Sequence, residues 1–105
     1  MIAYLSLFKL QPTVTLEKLE EMMAQTRMQL LRVPEVLAVK TGKRVNTEDP
    51  FEWFVYLEVE SMDKLAICQD DPRWIKFREE VLKPHVSEQE STAFEMEPRK
   101  DTKYS

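Results

Sequence analysis

The chain has 105 residues, of which 43% are apolar and 32% charged, and its formal net charge is −4. This size and composition predict one domain with a single hydrophobic core. Basic and acidic residues are interleaved along the whole chain, so we expect no nucleic-acid partner. The lone cysteine, Cys68, excludes an internal disulfide, and with His85 as the lone histidine a Cys/His zinc cluster cannot form within one chain.

Other classes of function are disfavoured by what the sequence lacks. Gly42 is the only glycine, which excludes a glycine-rich phosphate loop, and we expect neither an organic cofactor nor a metal. No run approaches the ~20 apolar residues of a membrane span. The apolar start at residues 1–8 lacks the basic residues and cleavage site of a signal peptide, so a cytoplasmic protein is predicted.

The first predicted element is a strand over residues 2–10, which ends at a Gln-Pro pair. Tyr4, Ser6 and Phe8 share one face of this strand, and Leu5 and Leu7 lie on the other. A strand that is apolar on both faces is normally covered on both.

A helix and a second strand follow. Thr15 is placed to cap a helix that extends to about residue 32, and Pro34 ends it. Met22 and Met23 belong to the apolar residues that recur at helical spacing along it. Residues 36–45 alternate as a strand does, and the polar segment 46–50 predicts a loop.

The third predicted strand covers residues 51–60, with Val55 on one face and Phe54 and Tyr56 on the other. Ser61 is a candidate N-cap for a short helix to about residue 69.

The last helix is predicted from Pro72 to about Leu82, with Asp71 as its cap. Trp74 and Phe77 lie one turn apart on the same face of this helix, and we expect the indole to point at the sheet near Tyr4. A weaker fourth strand is predicted over residues 88–96, and a mobile tail over 97–105.

The element order β-α-β-β-α-β is that of the ferredoxin-like α+β fold, in which both helices lie on one face of an antiparallel sheet. The opposite face would carry Leu5, Leu7, Phe54 and Tyr56, a larger apolar patch than monomers usually expose. A second copy related by a two-fold axis would cover it. We therefore predict a homodimer through the sheet face.

Several segments resemble the dimeric α/β-barrel superfamily, most closely its stress-responsive A/B barrel (Dabb) branch. They are Leu7-Phe8-Lys9-Leu10-Gln11-Pro12, Val33-Pro34-Glu35-Val36, Gly42-Lys43-Arg44-Val45, Leu57-Glu58-Val59-Glu60-Ser61, and Phe77 followed by Val81-Leu82-Lys83-Pro84. The resemblance implies a Dabb-like domain over residues 1–96. Residues 71–91 also resemble the NIPSNAP branch of the superfamily.

The resemblance places particular residues at functional positions. Cyclases of the Dabb type use a histidine on the first strand, a tyrosine on the short helix and a histidine that opens the last helix, and the matching positions here hold Tyr4, Cys68 and Trp74. The heme-degrading monooxygenase branch uses a strand asparagine and a helix histidine, whereas this chain offers Ser6 and His85. The catalytic residues of neither branch are matched.

The candidate ligand-binding residues would line a pocket between helices and sheet: Tyr4, Ser6, Phe8, Met22, Met23, Val55, Cys68, Trp74 and Phe77. Core packing would explain the same apolar residues. His85 and Tyr4 are the candidate acid–base groups. Alternatively, His85 only occupies a helix end, and the Tyr4 hydroxyl only forms a hydrogen bond at the edge of the core. A thiol near a helix C-terminus and close to carboxylates has a raised pKa, so Cys68 is expected to be structural.

These observations predict a homodimeric Dabb-like protein that binds a small hydrophobic molecule. The alternative is a cofactor-free monooxygenase or a polyketide-cyclase-like enzyme, whose pocket should hold His85 or Tyr4 beside an open volume. A binding or structural module would instead fill that space with Met22, Met23, Trp74 and Phe77.

Overall fold

The computed structural model describes residues 1–98. Its elements are β1 (Ile2–Leu10), α1 (Leu16–Leu30), β2 (Ala38–Lys43), β3 (Trp53–Val59), α2 (Met62–Asp70), α3 (Pro72–Phe77), a π-helical turn (Arg78–Leu82), α4 (Lys83–His85) and β4 (Val86–Glu95). The four strands form one antiparallel sheet in the order β2-β3-β1-β4, and helices pack on one of its faces. This is the predicted ferredoxin-like α+β fold. Most of the predicted tail, residues 99–105, lies outside the described residues.

The helices begin where their capping residues predict. Thr15, Ser61 and Asp71 each accept a hydrogen bond from a backbone N–H in the first turn of the helix that follows. Each cap satisfies one of the N–H groups that have no partner inside the helix.

The end predicted for the last helix, at Leu82, is wrong by one turn. Pro84 lacks an N–H and its ring would clash with the carbonyl four residues earlier in a regular α-helix. The preceding turn is π-helical, and the Lys83 N–H donates to the carbonyl of Arg78, five residues earlier. This wider turn accommodates the proline, so the chain stays helical to His85.

The strand bounds also differ from those expected. β2 starts at Ala38 rather than at residue 36 because the Val36 N–H donates to the Val33 carbonyl in a turn that packs Val36 into the core. β4 starts at Val86, two residues earlier than predicted, and pairs with β1 along its full length at the sheet edge.

The two faces of the sheet have different surroundings. On the helix side, Phe8 and Trp53 stack with ring centroids 4.5 Å apart and form part of the buried core. The other side carries a face that we call the outer sheet face, made of Leu5, Leu7, Phe54, Tyr56 and Phe94. The first four are half-buried and Phe94 is 53% exposed, and no helix of residues 1–98 packs over them.

Candidate functional site

A cavity of about 390 Å³ lies between the sheet and the last helix. Its apolar lining comes from the helix-facing side of β1 and β3 and from facing helical residues: Tyr4, Phe8, Leu30, Val55, Leu57, Trp74, Phe77 and Leu82. Its polar lining consists of Ser6, Gln69, Asp70, Arg78 and Gln89. Most of the lining residues are apolar, but the accessible surface of the cavity is divided about equally between polar and apolar atoms. Small-molecule sites typically combine apolar walls with a few polar groups.

Strand register explains which sheet residues reach the cavity. Tyr4, Ser6 and Phe8 alternate on one face of β1, and Ser6 pairs with Val55 on β3 and with Ser91 on β4. Residues directly opposite in neighbouring strands point to the same side of a sheet. The cavity floor is therefore built from all three strands.

Trp74 forms the aromatic wall. Its ring centroid lies 6.3 Å from that of Tyr4 and 6.5 Å from that of Phe77, the latter in an edge-to-face arrangement. The residue is only 8% exposed, which confirms that the indole points at the sheet near Tyr4.

The floor contains a short chain of hydrogen bonds. The Oγ atoms of Ser6 and Ser91 are 2.8 Å apart, and the Gln89 side-chain amide donates to the Ser91 Oγ at 2.9 Å. Ser6 is 5% exposed, so its hydroxyl is buried in the floor.

Charged groups of opposite sign line the cavity where it meets solvent. Asp70 ends α2, and Arg78 begins the π-helical turn; both are exposed. Arg78 also lies near Glu79, with its Nε 3.7 Å from a carboxylate oxygen. The two charges of the lining balance, so the cavity presents no net charge to a ligand.

A family model for the stress responsive A/B barrel domain matches residues 2–98. The chain belongs to the stress responsive A/B barrel (Dabb) family. A comparison with curated proteins gives no match. The resemblance of residues 71–91 to NIPSNAP proteins stays a prediction.

Solved structures share the fold of this Dabb protein at low sequence identity. A protein from Arabidopsis thaliana, At3g17210, aligns over 95% of this chain and 99% of its own, with a TM-score of 0.83 and 16% identity. A dimeric ferredoxin-like protein of unknown function from Thermobifida fusca aligns over 90% of both chains, with a TM-score of 0.81 and 18% identity. The hydroxynitrile lyase of Passiflora edulis covers 93% of this chain and 94% of its own, with a TM-score of 0.77 and 12% identity. These likenesses show the fold alone.

The cavity brings together six of the predicted ligand-binding residues, namely Tyr4, Ser6, Phe8, Val55, Trp74 and Phe77. Met22, Met23 and Cys68 do not line it. Met22 and Cys68 are fully buried in the core that the helices form with the sheet, and Met23 packs against the edge of that core. The methionines therefore pack the domain beside the cavity.

Cys68 is fully buried in the core, as expected for a structural thiol. Burial raises the pKa of its thiol to about 12, and the negative charges of Glu35 and Asp71 act in the same direction. The main cause is burial, which follows from the packed position of the side chain and was not part of the sequence argument.

His85 does not reach the cavity. It is the last residue of α4, and its Nδ1 lies 2.9 Å from the Val81 carbonyl oxygen, one turn earlier. Of the two predicted acid–base candidates, only Tyr4 lines the open volume.

Four polar lining residues were not predicted: Gln69, Asp70, Arg78 and Gln89. Arg78 follows Trp74 by four residues, and Gln89 precedes Ser91 by two on the same strand. Helical periodicity could have placed Arg78 beside Trp74, which was already selected. Gln89 lies opposite Phe8 in the register of β1 and β4, and that register was not part of the sequence prediction. Gln69 and Asp70 depend on the corner between α2 and α3, for which the sequence carries no comparable periodic signal.

Two observations apply to residues 1–98. No group of three or more His, Cys, Asp or Glu side chains there is arranged to hold a metal ion. None of the helices in this part of the chain combines the length and apolar character needed to cross a membrane.

A second depression, of about 790 Å³, lies at one end of the sheet beside Met1, Glu58, Glu95 and Met96. It extends to residue 98, where the described part of the chain ends. None of the predicted site residues lines it, so we place the candidate site in the cavity between helix and sheet.

Proposed function

We propose that this Dabb protein binds a small, mainly hydrophobic molecule in the cavity between the sheet and the last helix. The observation that carries the proposal is the unfilled volume of about 390 Å³ between Trp74, Phe77 and the floor of β1 and β3. Small-molecule sites commonly occupy about 300 to 1,000 Å³ and combine apolar walls with a few polar groups. This cavity lies in that range, and Trp74 and Phe77 supply apolar wall beside a substantial polar lining.

We also propose that the functional unit is a homodimer in which the outer sheet face of one copy packs on that of another. Leu5, Leu7, Phe54 and Tyr56 on this face support the proposal because a monomer would leave them in contact with water. The related Thermobifida fusca protein is described as dimeric. We expect the dimer to reside in the cytoplasm, where the unpaired thiol of Cys68 would stay reduced.

A thermal-shift screen with small apolar compounds tests the binding proposal. A ligand at ~100 times its dissociation constant should stabilise the protein by ~2.7 kcal/mol. The variant Gln89→Trp places an indole at the cavity from the exposed edge strand and should abolish the shift. Glu80→Trp, on an exposed position that does not line the cavity, is the control and should keep it. Shifts that survive in Gln89→Trp would contradict binding in this cavity.

Catalysis in the same cavity is a second candidate function because Tyr4 lines the open volume. A tyrosine can donate or accept a proton at a bound substrate. Each compound that binds should be recovered after incubation and analysed by mass spectrometry. Conversion by the wild type that is lost in Tyr4→Phe would support an enzyme, whereas recovery of unchanged compound supports a binding protein.

A further inference from the structure

Ser6 is one of two polar residues that are buried within residues 1–98; the other is Thr26. The Thr26 hydroxyl donates to the Met22 carbonyl of its own helix at 2.7 Å, which is a purely local bond. Ser6 instead lines the cavity, and its hydroxyl partner lies on another strand. A buried hydroxyl is costly unless it is hydrogen-bonded, and the bond to Ser91 meets that need for Ser6. What distinguishes Ser6 from Thr26 is that it lines the cavity.

The hydrogen-bond chain in the floor leaves one donor unused. The Gln89 amide donates to the Ser91 Oγ, and one hydroxyl hydrogen joins Ser91 to Ser6. Each serine has only one hydroxyl hydrogen. If Ser91 donates to Ser6, the Ser6 hydrogen is free to point into the cavity that this residue lines.

The Ser6–Ser91 contact fits either direction. A ligand acceptor in the cavity would favour this orientation, because hydrogen bonds in a chain polarise one another when every member both accepts and donates. In it, Gln89 donates to Ser91, Ser91 donates to Ser6, and Ser6 donates to whatever occupies the cavity. In the opposite orientation Ser6 donates to Ser91, and the hydrogen of the exposed Ser91 hydroxyl turns to solvent. Ser6 can therefore offer a donor to an acceptor at the cavity floor.

We propose that the cavity recognises a neutral, planar aromatic molecule through an acceptor oxygen, such as a ketone carbonyl, that receives a hydrogen bond from Ser6. This rests on the proposed binding function and names its ligand class. Trp74 and Phe77 line the cavity with their rings edge to face, and a planar ligand would pack against this wall. The opposite charges of Asp70 and Arg78 in the lining favour a ligand without net charge over an acid or an amine.

Three naphthalene derivatives test this inference by isothermal titration calorimetry. 2-Acetylnaphthalene carries the acceptor oxygen, 2-isopropylnaphthalene has a similar shape without it, and 2-naphthoate carries a negative charge. A neutral hydrogen bond typically contributes enough free energy for an affinity difference of about 2-fold to 10-fold. We expect the ketone to bind more tightly than the hydrocarbon by about that ratio, and more tightly than the acid.

The variant Ser6→Ala should bring the ratio of ketone to hydrocarbon affinity close to one, and Ser6→Cys, with its weak donor, should lower it likewise. Ser87→Ala is the matched control, because its hydroxyl contacts the backbone oxygen of Lys9 on the same strand pair and does not line the cavity. It should leave the ratio unchanged.

The outcomes separate this inference from the proposed function. Equal binding of ketone and hydrocarbon by the wild type would overturn the recognition of an acceptor oxygen while leaving binding in the cavity intact. A ketone preference that persists in Ser6→Ala would overturn the role of Ser6. Tighter binding of 2-naphthoate would overturn the choice of a neutral ligand and direct attention to Arg78. Absence of binding by all three probes would overturn the aromatic ligand class, and it would overturn the binding proposal as well if the thermal-shift screen also gave no stabilising compound.

Discussion

The guanidinium of Arg73 holds both carboxylate oxygens of Asp71, with its Nε 2.9 Å from Oδ1 and its second terminal nitrogen 2.9 Å from Oδ2. The remaining terminal nitrogen donates to the Arg32 carbonyl oxygen at 2.7 Å, near the end of α1. Asp71 also caps α3 by accepting from the Arg73 backbone N–H. These bonds join α1 to the corner between α2 and α3, which carries the cavity residues Asp70 and Trp74.

This arrangement predicts acid sensitivity. Side-chain and backbone hydrogen bonds from Arg73 lower the pKa of Asp71 below its usual 3.8. A carboxyl whose folded-state pKa is lowered stabilises the fold above its unfolded pKa and loses that contribution as the pH falls through the folded value. Chemical denaturation should rank the wild type above Asp71→Asn at pH 7, and the difference should shrink below pH 3.8. A difference that stays constant with pH would contradict the assignment.

Alternation and capping signals predicted the parts of the fold that depend on local sequence. Thr15, Ser61 and Asp71 cap their helices because an N-cap needs only a side chain and the next turn of backbone. The π-helical turn before Pro84 could not be predicted in this way, since a proline permits either a helix end or a local widening.

More of the apolar lining residues of the candidate site were predicted than of its polar lining residues. Phe77 and Trp74 were identified because large apolar residues one turn apart mark a buried face. Asp70 and Arg78 were not, because exposed charged residues in a sequence are indistinguishable from ordinary solvated surface. Met22 was placed in the pocket by helical periodicity, which identifies the buried face of α1 but not the part of the sheet that it covers.

Cys68 is expected to be dispensable for folding but to limit stability at high pH. Burial raises its pKa from 9.0 to about 12, so above pH 9 the unfolded chain releases a proton that the folded chain retains. Stability should therefore fall as the pH rises through this range, by up to ~1.4 kcal/mol per pH unit for this group. Cys68→Ala should cost ~1 to 2 kcal/mol at pH 7. The stability of this variant should decrease less steeply above pH 9 than that of the wild type.

Tyr56 needs its own control in that experiment. Burial and Glu58 raise its pKa to about 12, so Tyr56 also makes the stability of the fold decrease above pH 10. Tyr56→Phe removes this second contribution. If Cys68→Ala and the wild type lose stability in parallel between pH 9 and 10, the thiol is not responsible. Rapid alkylation of Cys68 in the native protein at neutral pH would likewise contradict a buried, protonated thiol.

Trp74 is expected to report on the cavity by its fluorescence. Trp53→Phe removes the other tryptophan and gives a suitable background. Thr41 then loses the hydrogen bond that it accepts from the Trp53 indole, but its hydroxyl keeps the one that it donates to the Phe54 carbonyl. The emission of Trp74 should be blue-shifted and protected from aqueous quenchers, and it should respond to ligands that enter the cavity. A red-shifted, freely quenched emission would show an exposed ring and contradict its place in the wall.

Replacement of Trp74 by alanine separates its packing role from its role in binding. The loss of buried contacts should cost ~3 to 5 kcal/mol of stability. If the ring also walls the ligand site, the enlarged cavity should change the relative affinities of large and small aromatic compounds while the oligomeric state stays the same. Unchanged relative affinities would limit Trp74 to packing.

The homodimer is tested by a charge on the outer sheet face. Leu5→Glu or Leu7→Glu would place a carboxylate where two sheets are proposed to meet, and an unpaired charge in a desolvated interface costs several kcal/mol. Light scattering should give a dimer mass for the wild type and a monomer mass, or an unfolded chain, for these variants. Leu31→Glu is the control, because Leu31 is 55% exposed at the end of α1 and away from the sheet, and this variant should remain dimeric. A monomer mass for the wild-type chain would exclude the proposed interface, since no partner would then cover Leu5, Leu7, Phe54 and Tyr56.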